Sequence, residues 1–291
     1  MAKQYLVLLI GVLAVSFGSI LTRLSVAPFL VIAFYRLALA SIIIGPLACI
    51  HSGKELRSLS NKNRILSLVA GSFLALHFVF WIASLSYTTV ASSVVLVTTN
   101  PIFVAIASYF LFHEKPKKNT IIGIFLCLTG AAFIGFNDWH IGAEAFRGDL
   151  LAILGALAVA CYFIIGRKLR PNTGLLSYTF LVYGSAAILL LLAVRILNLS
   201  LLGYSQNTYI MLILLALVPQ LLGHSSLNWA LRFMPATLVT IAILGEPVGA
   251  TILAFLILDE TPTLMQLTGG ILILGGIFIA FGRNTAGISS A

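Results

Sequence analysis

Charge is what this chain has least of. Of its 291 residues, 60% are hydrophobic and only 9% are charged, with eight acids against seventeen bases. A soluble domain carries about 25% charged residues. A chain of this length could not hide so much apolar surface in a water-facing core, so the composition excludes a soluble globular protein. Long polar segments are missing too: none exceeds about 15 residues, which leaves no room for a separate soluble domain. Cysteine is sparse. Cys49, Cys127 and Cys161 lie inside or at the ends of apolar runs, odd in number and without metal-ligand spacing. They are expected to be small hydrophobes with no disulfide. The five histidines, at 51, 77, 113, 140 and 224, form no metal cluster by spacing. Hydrolase signatures such as Gly-x-Ser-x-Gly and His-Glu-x-x-His are absent, as is any pair of intramembrane aspartates. No ATP-binding motif is present. The sequence therefore points away from an enzyme and away from a metal or organic cofactor. A net charge of +9 invites a nucleic-acid reading, but the bases sit in short loops between apolar runs. They read as topology signals, and no nucleic-acid partner is expected.

What is present is a series of apolar runs of helix length. Ten transmembrane helices are predicted at 5–22, 28–50, 65–87, 90–112, 119–136, 149–166, 175–196, 208–231, 236–258 and 263–282. Each is near the ~20 residues that span a bilayer. The first run could pass for a signal peptide, but no small-residue cleavage site follows it, and a first membrane helix is the better reading. With the N-terminus inside, thirteen bases fall on the cytoplasmic side: Lys3, Lys54, Arg57, Lys62, Arg64, Lys115, Lys117, Lys118, Arg167, Lys168, Arg170, Arg232 and Arg283. Only Arg23, Arg147 and Arg195 fall outside, and Arg36 lies within helix 2. Basic loops stay cytoplasmic, so both termini are expected inside.

A short motif appears twice with its charge changed. Residues 113–118 read His-Glu-Lys-Pro-Lys-Lys, and residues 259–263 read Asp-Glu-Thr-Pro-Thr. A shift of 146 positions places Pro101 on Pro247, Glu114 on Glu260 and Pro116 on Pro262, with Gly123 on Gly269 and Gly130 on Gly276. Helices 1 and 6 also align, with Arg23 over Arg167. Matching leucines mean little in such a chain, but Pro, Glu and Gly at one register do not arise from composition. The expected fold is an all-α integral membrane protein of ten transmembrane helices in two five-helix repeats (5+5). An odd number of helices per repeat inverts the second, which is why the loop charges swap. The repeats are placed at 1–137 and 148–283, followed by a short cytoplasmic tail at 284–291.

This arrangement resembles the EamA family of the drug/metabolite transporter superfamily. The resemblance covers nearly the whole chain. It rests on the 5+5 layout, on Phe34-Tyr35-Arg36 with Ala40 in helix 2, on Pro101 and Pro247, and on the two Glu-x-Pro loops followed by glycine-bearing helices. It implies a basket-like bundle around a central substrate cavity, with helices 5 and 10 at the periphery, where a homodimer can form. Members move amino acids, metabolites, drugs or nucleotide-linked sugars, commonly outward in bacteria. Helix 7 departs from the symmetry, because Gly184 aligns with Arg36 once a four-residue insertion is allowed.

Several residues could carry transport. Pro101 and Pro247 lie mid-helix and free the carbonyls of Val97 and Ile243. They predict paired kinks that shape a site and let helices 4 and 9 flex, or static kinks that only improve packing. Glu246 precedes Pro247, and its repeat partner is Asn100. An acid at that depth costs about 3 kcal/mol or more unless paired, protonated or wet. It could bind a substrate amine, carry a proton or pair with a buried base. Arg36 is the candidate base. It could hold a carboxylate through its planar fork, snorkel to the interface or pair internally. Gln220, His224 and Asn228 form a polar stripe on helix 8, and His77, Trp81 and Ser84 form another on helix 3. Such stripes should face helix neighbours or a cavity. Tyr35, Tyr87, Tyr162 and Tyr183 could gate a cavity or pack, and the glycines of helix 10 suit either a seam within the fold or a dimer. Glu114 and Glu260 are expected to shape loops.

The expected function is secondary transport of small metabolites such as amino acids, as an exporter working by alternating access. Its partners would be a small-molecule substrate, the lipid bilayer and, in one version, protons. The expected site is a multi-pass bacterial inner (plasma) membrane. The alternative is a broad carrier of drugs and amphiphiles, with a channel or an intramembrane enzyme as readings from other classes.

Overall fold

The computed structural model describes residues 2–88, 90–135, 142–259 and 261–282. His140, Glu260, Arg283 and the tail 284–291 lie outside the described residues, as does most of the loop between helices 5 and 6.

Ten helices form a bundle, and no strand occurs among the described residues. Here α1 is Ala2–Val15 with Phe17–Arg23, α2 is Phe29–Ser58, α3 is Asn61–Ser84 and α4 is Val90–Val97 with Asn100–Phe112. Next come α5 (Lys118–Gly135), α6 (Ala143–Leu169) and α7 (Leu175–Ile196). α8 runs from Gln206 to Ala230 in three stretches, α9 is Ala236–Ile243 with Glu246–Leu258, and α10 is Leu264–Gly282. Among the described residues nine helices are long and apolar enough to cross a membrane, and the apolar stretch of α5, Lys118–Phe133, is shorter. The bundle is apolar on its outside as well as inside: Phe110, Phe125, Ile188 and Phe278 are all exposed. A water-soluble protein rarely shows such contiguous apolar surface. Here the surrounding solvent is hydrocarbon, and backbone groups are satisfied within each helix.

The doubled motif ends a helix at the same point in each half. His113 caps α4 at φ 54°, and Asp259 caps α9 at φ 55°. Their N–H groups bond to Ser108 O and Ala254 O, again 146 positions apart (108 + 146 = 254). His and Asp tolerate this left-handed conformation better than most residues, and the proline three positions on stops any continuation.

The two repeats meet along α5 and α10. A Cβ on Gly123 would come within 2.6 Å of Gly276 O, and one on Gly130 within 2.4 Å of Gly269 O. Exchanging the repeats turns one contact into the other, since 123 + 146 = 269 and 130 + 146 = 276. Small residues let the two backbones touch, the usual currency of helix packing in lipid. Glycines read as suiting either an internal seam or a dimer are used, at 269 and 276, for the seam. Gly276→Leu is therefore expected to destabilise the protein by about 1–3 kcal/mol through overpacking, whereas Gly275→Leu, where an added Cβ meets nothing within 4 Å, should not. Thermal unfolding in detergent checks this, and equal midpoints for the two variants would refute a close-packed seam.

Candidate functional site

The helices predicted to kink at Pro101 and Pro247 are each interrupted by a two-residue turn whose backbone stays in the right-handed helical region. The first segment of α4 stops at Val97 and the second starts at Asn100, while α9 stops at Ile243 and restarts at Glu246. Matching tight turns close both breaks: Thr99 N–H bonds to Leu96 O at 3.2 Å, and Gly245 N–H to Ala242 O at 3.0 Å. Proline removes the donor that would continue each ladder. Threonines back-bond on the preceding turns, Thr98 to Val94 O at 2.8 Å and Thr240 to Ala236 O at 3.0 Å, which favours bending. In the first repeat the freed Val97 carbonyl accepts from the Asn100 side-chain amide at 3.1 Å. The breaks place Asn100 and Glu246 at the starts of two half-helices deep in the bundle. A carboxylate there is favoured by the helix dipole.

Between these breaks and α2, α3, α6 and α8 lies a small cavity. It offers about 30 Å³ to the centre of a water molecule and is lined by Arg36, His77, Trp81, Asn100, His224 and Glu246, with Phe78, Thr98 and Phe163 among the rest. Six of the eight predicted polar or aromatic site residues thus converge from both halves. Gln220 sits one bond away, since Arg36 Nε donates to Gln220 Oε1 at 2.9 Å.

Arg36 is fully enclosed rather than snorkelling. Its guanidinium carbon lies 4.1 Å from the Phe78 ring centroid and 5.9 Å from that of Trp81, and such desolvated cation–π contact is worth about 2 kcal/mol. Its Nη1 has no hydrogen-bond partner among the described residues, and neither does Trp81 Nε1, Asn100 Oδ1 or His224 Nδ1. Glu246 is 8% exposed. Its carboxylate makes no hydrogen bond among the described residues, where the one ion pair is Arg167–Glu114. Buried polar groups are normally satisfied, and four of the unpaired ones share this cavity, where a bound group could complete them. Arg36 Nη1 and Trp81 Nε1 stand on α2 and α3, His224 Nδ1 on α8 and Asn100 Oδ1 at the α4 break, while Glu246 heads the second segment of α9. The ring of His77 stacks parallel to Trp81 at 6.1 Å, and its Nδ1 lies 3.0 Å from Gly155 O.

Asn228 requires a correction. It does not line the cavity. Its side-chain amide donates to the Tyr162 hydroxyl and, at 3.5 Å, to that of Tyr183. Leu227, one residue earlier, does line the cavity, and the ~100° turn per helical residue points Asn228 toward Tyr162 on α6 and Tyr183 on α7 instead. Ser84, the third member of the α3 stripe, bonds instead to Trp81 O at 2.6 Å and to Ser93 at 2.5 Å. Sequence reasoning also missed the π-helical turn Ala216–His224 in α8. Pro219 inside it removes a backbone donor, a signal that was legible. Wide turns of this kind recur at functional sites, and this one carries both Gln220 and His224.

One end of the bundle, the end carrying the most loop bases, is tied across the repeats. Arg167 on α6 pairs with Glu114 at 3.1 Å, so this Glu does more than shape its loop. Glu55 on α2 caps α7, accepting from Gly174 N–H at 2.6 Å and Ser177 Oγ at 2.5 Å. Arg170, counted from sequence as a loop base, is buried beneath α8 and donates to Asn228 O at 2.9 Å and to Thr173 O.

An all-helical membrane protein built from two inverted repeats, with broken helices meeting at a polar centre, has the architecture of a transporter. The EamA-like transporter family model matches residues 2–136 and again residues 146–282. The chain belongs to the EamA-like transporter family. Among its relatives, the uncharacterized transporter YdfC of Bacillus subtilis is 26% identical over 251 residues, covering 84% of this chain and 81% of its own. A probable amino-acid metabolite efflux pump of Salmonella typhimurium is 30% identical over 197 residues, covering 62% and 64%. A solved crystal structure of another protein superposes on 97% of this chain and 97% of its own, at TM-score 0.76 and 19% identity. That likeness shows the fold. The protein is thus a multi-pass membrane transporter whose partners are a small-molecule substrate and the bilayer.

Proposed function

We propose that the protein exports small zwitterionic metabolites, such as amino acids, by alternating access about the central cavity. The observation that carries this reading is that two unsatisfied donors, Arg36 Nη1 and Trp81 Nε1, share one cavity with the unsatisfied Asn100 Oδ1 and with the acid of Glu246. A carboxylate suits the former and an ammonium group the latter. The relative named as a probable amino-acid metabolite efflux pump supports the same class. At about 30 Å³ the cavity holds a water or two, well short of the several hundred Å³ of ligand pockets. Substrate entry therefore needs the repeats to part. Opening at the basic end would break the Arg167–Glu114 pair, which is 24% and 29% exposed. Exposed pairs are worth about 0–1 kcal/mol, so the clasp is cheap to undo.

The bias of thirteen loop bases against three supports both termini in the cytoplasm and a plasma-membrane location, the inner membrane in a bacterium with two. A homodimer would use the outward faces of α5 and α10, where Phe125, Ile271 and Phe278 are exposed. The second reading, a broad carrier of drugs and amphiphiles, draws on the aromatic wall of Phe78, Trp81 and Phe163.

Proteoliposomes separate these readings. Counterflow of labelled amino acids, with no flux of lipophilic cations, is the expected result. Flux of the cations alone would replace the zwitterion reading with the second. In the proton-coupled version an imposed pH gradient drives uphill flux, and indifference to the gradient leaves exchange or facilitated diffusion.

A further inference from the structure

A second cavity lies on the outer face of α9, behind its two-residue turn. It is an apolar groove of about 410 Å³ between α1, α9 and α10, walled by Leu9, Val12, Leu13, Val248, Ile252 and Ile277. We propose that this groove holds one acyl chain of a bilayer lipid, taken from the leaflet at the basic end of the bundle.

Chemistry selects the occupant. Ser16 puts a hydroxyl beside the groove, but that hydroxyl already donates to Val12 O at 2.9 Å. With that donor engaged and no charge in the lining, the Tyr5 hydroxyl at its basic end is the groove's one remaining polar side-chain group, which offers little to a headgroup or a peptide backbone. The groove is continuous with the lipid-facing surface, because Leu9, Leu13, Ile252 and Leu274 on its rim are all exposed. Its depth fits one leaflet. Tyr5 and Phe281 meet edge to face at 5.7 Å at the basic end, and the groove climbs α1 to Ser16. Eleven residues of helix rise about 16 Å, close to half of the ~30 Å hydrocarbon core.

The groove and the central cavity share a thin wall. On α1, Val12 and Ser16 face the groove while Val15 faces the cavity. On α9, Ala242 and Gly245 face the groove while Ile243 and Glu246 face the cavity. α9 turns here at Leu244-Gly245, while α1 runs on through Ser16, whose N–H bonds to Val12 O at 3.1 Å. A chain lying in the groove backs the α9 break from outside. The equivalent region of the other half is packed more closely, with α6 lying against both segments of α4 more extensively than α1 lies against α9, so one such site is expected per chain.

Photolabelling tests this. The protein is reconstituted with a phosphatidylethanolamine carrying a diazirine midway along one chain, irradiated, and its adducts mapped by mass spectrometry. Phe110 on α4 and Ile188 on α7 are exposed to lipid away from the groove and serve as references. Labelling of Leu9, Leu13 and Ile252 is expected to exceed theirs roughly fivefold, the ratio that about 1 kcal/mol supplies. Val248→Phe, which fills the groove, should bring that ratio to parity. Replacing the headgroup by phosphatidylglycerol should leave it unchanged. Parity in the wild type would mean bulk lipid only, and a ratio untouched by Val248→Phe would place the chain elsewhere; either overturns the proposal. Should Val248→Phe fail to fold, Leu13→Phe narrows the same groove and is read the same way.

Discussion

Glu246→Gln is expected to lower the transport efficiency for a zwitterionic substrate by roughly 30-fold to a few thousand-fold. Glu246 is buried, heads the second segment of α9 and makes no hydrogen bond among the described residues. In the proposed mechanism the substrate ammonium completes it. Removing one partner of a buried, hydrogen-bonded charge pair costs about 2–5 kcal/mol, and each 1.4 kcal/mol is tenfold. Glutamine keeps the size of the side chain and removes only the charge. The same change should cost little stability, because the burial cost of the carboxylate is removed together with its attraction to Arg36 across the cavity. A stable but inactive variant is therefore the expected pair of results, read from flux and from thermal unfolding. Wild-type flux in Glu246→Gln would sink the assignment. Lost flux with a markedly lowered midpoint would make Glu246 a structural residue instead.

How this site was legible in sequence differs residue by residue. Pro101 and Pro247 announced trouble in α4 and α9, because a missing N–H is a local fact. The two-residue turns behind each kink were not legible, since they depend on what else can hold the freed carbonyls, such as Asn100 on Val97 O. Arg36 and Glu246 each stood out by the cost of burying charge in hydrocarbon. That they line one cavity was only conjecture, because they belong to opposite halves and neither periodicity nor spacing relates them. Glu55 gave no signal at all. It caps α7 from 119 positions away in sequence, and nothing local to it marks that partner. Arg170 misled for the opposite reason. It looks like one more loop base, yet the end of α6 tucks beneath α8 and buries it. Loop charge predicts topology because it averages over many residues, and it says little about any single one.

Arg36→Lys should sort the other end of the substrate. It is expected to cut transport of a zwitterion by roughly 10- to 150-fold, the effect of about 1.5–3 kcal/mol in a hydrogen bond to a charged group. Arg36 uses Nε on Gln220 and sets its guanidinium carbon over Phe78, leaving Nη1 free. A planar fork can do all three at once, whereas the compact ammonium of lysine cannot span them. Charge is conserved, so a loss cannot be assigned to field alone. The decisive measurement compares each amino acid with its decarboxylated amine. Wild type should prefer the zwitterion, and Arg36→Lys should bring the two toward equal flux by losing the zwitterion alone. An equal loss for both would mean that Arg36 acts by shaping the cavity against Phe78 and Trp81. No loss for either would remove it from the site. Run beside Glu246→Gln, which should instead spare a carboxylic acid lacking the amine, the experiment assigns the substrate's two charges to the two halves of the repeat. Arg36 has Gly184 at its repeat position and Glu246 has Asn100. That chemical asymmetry, laid over a symmetric pair of broken helices, gives an inverted repeat a substrate orientation.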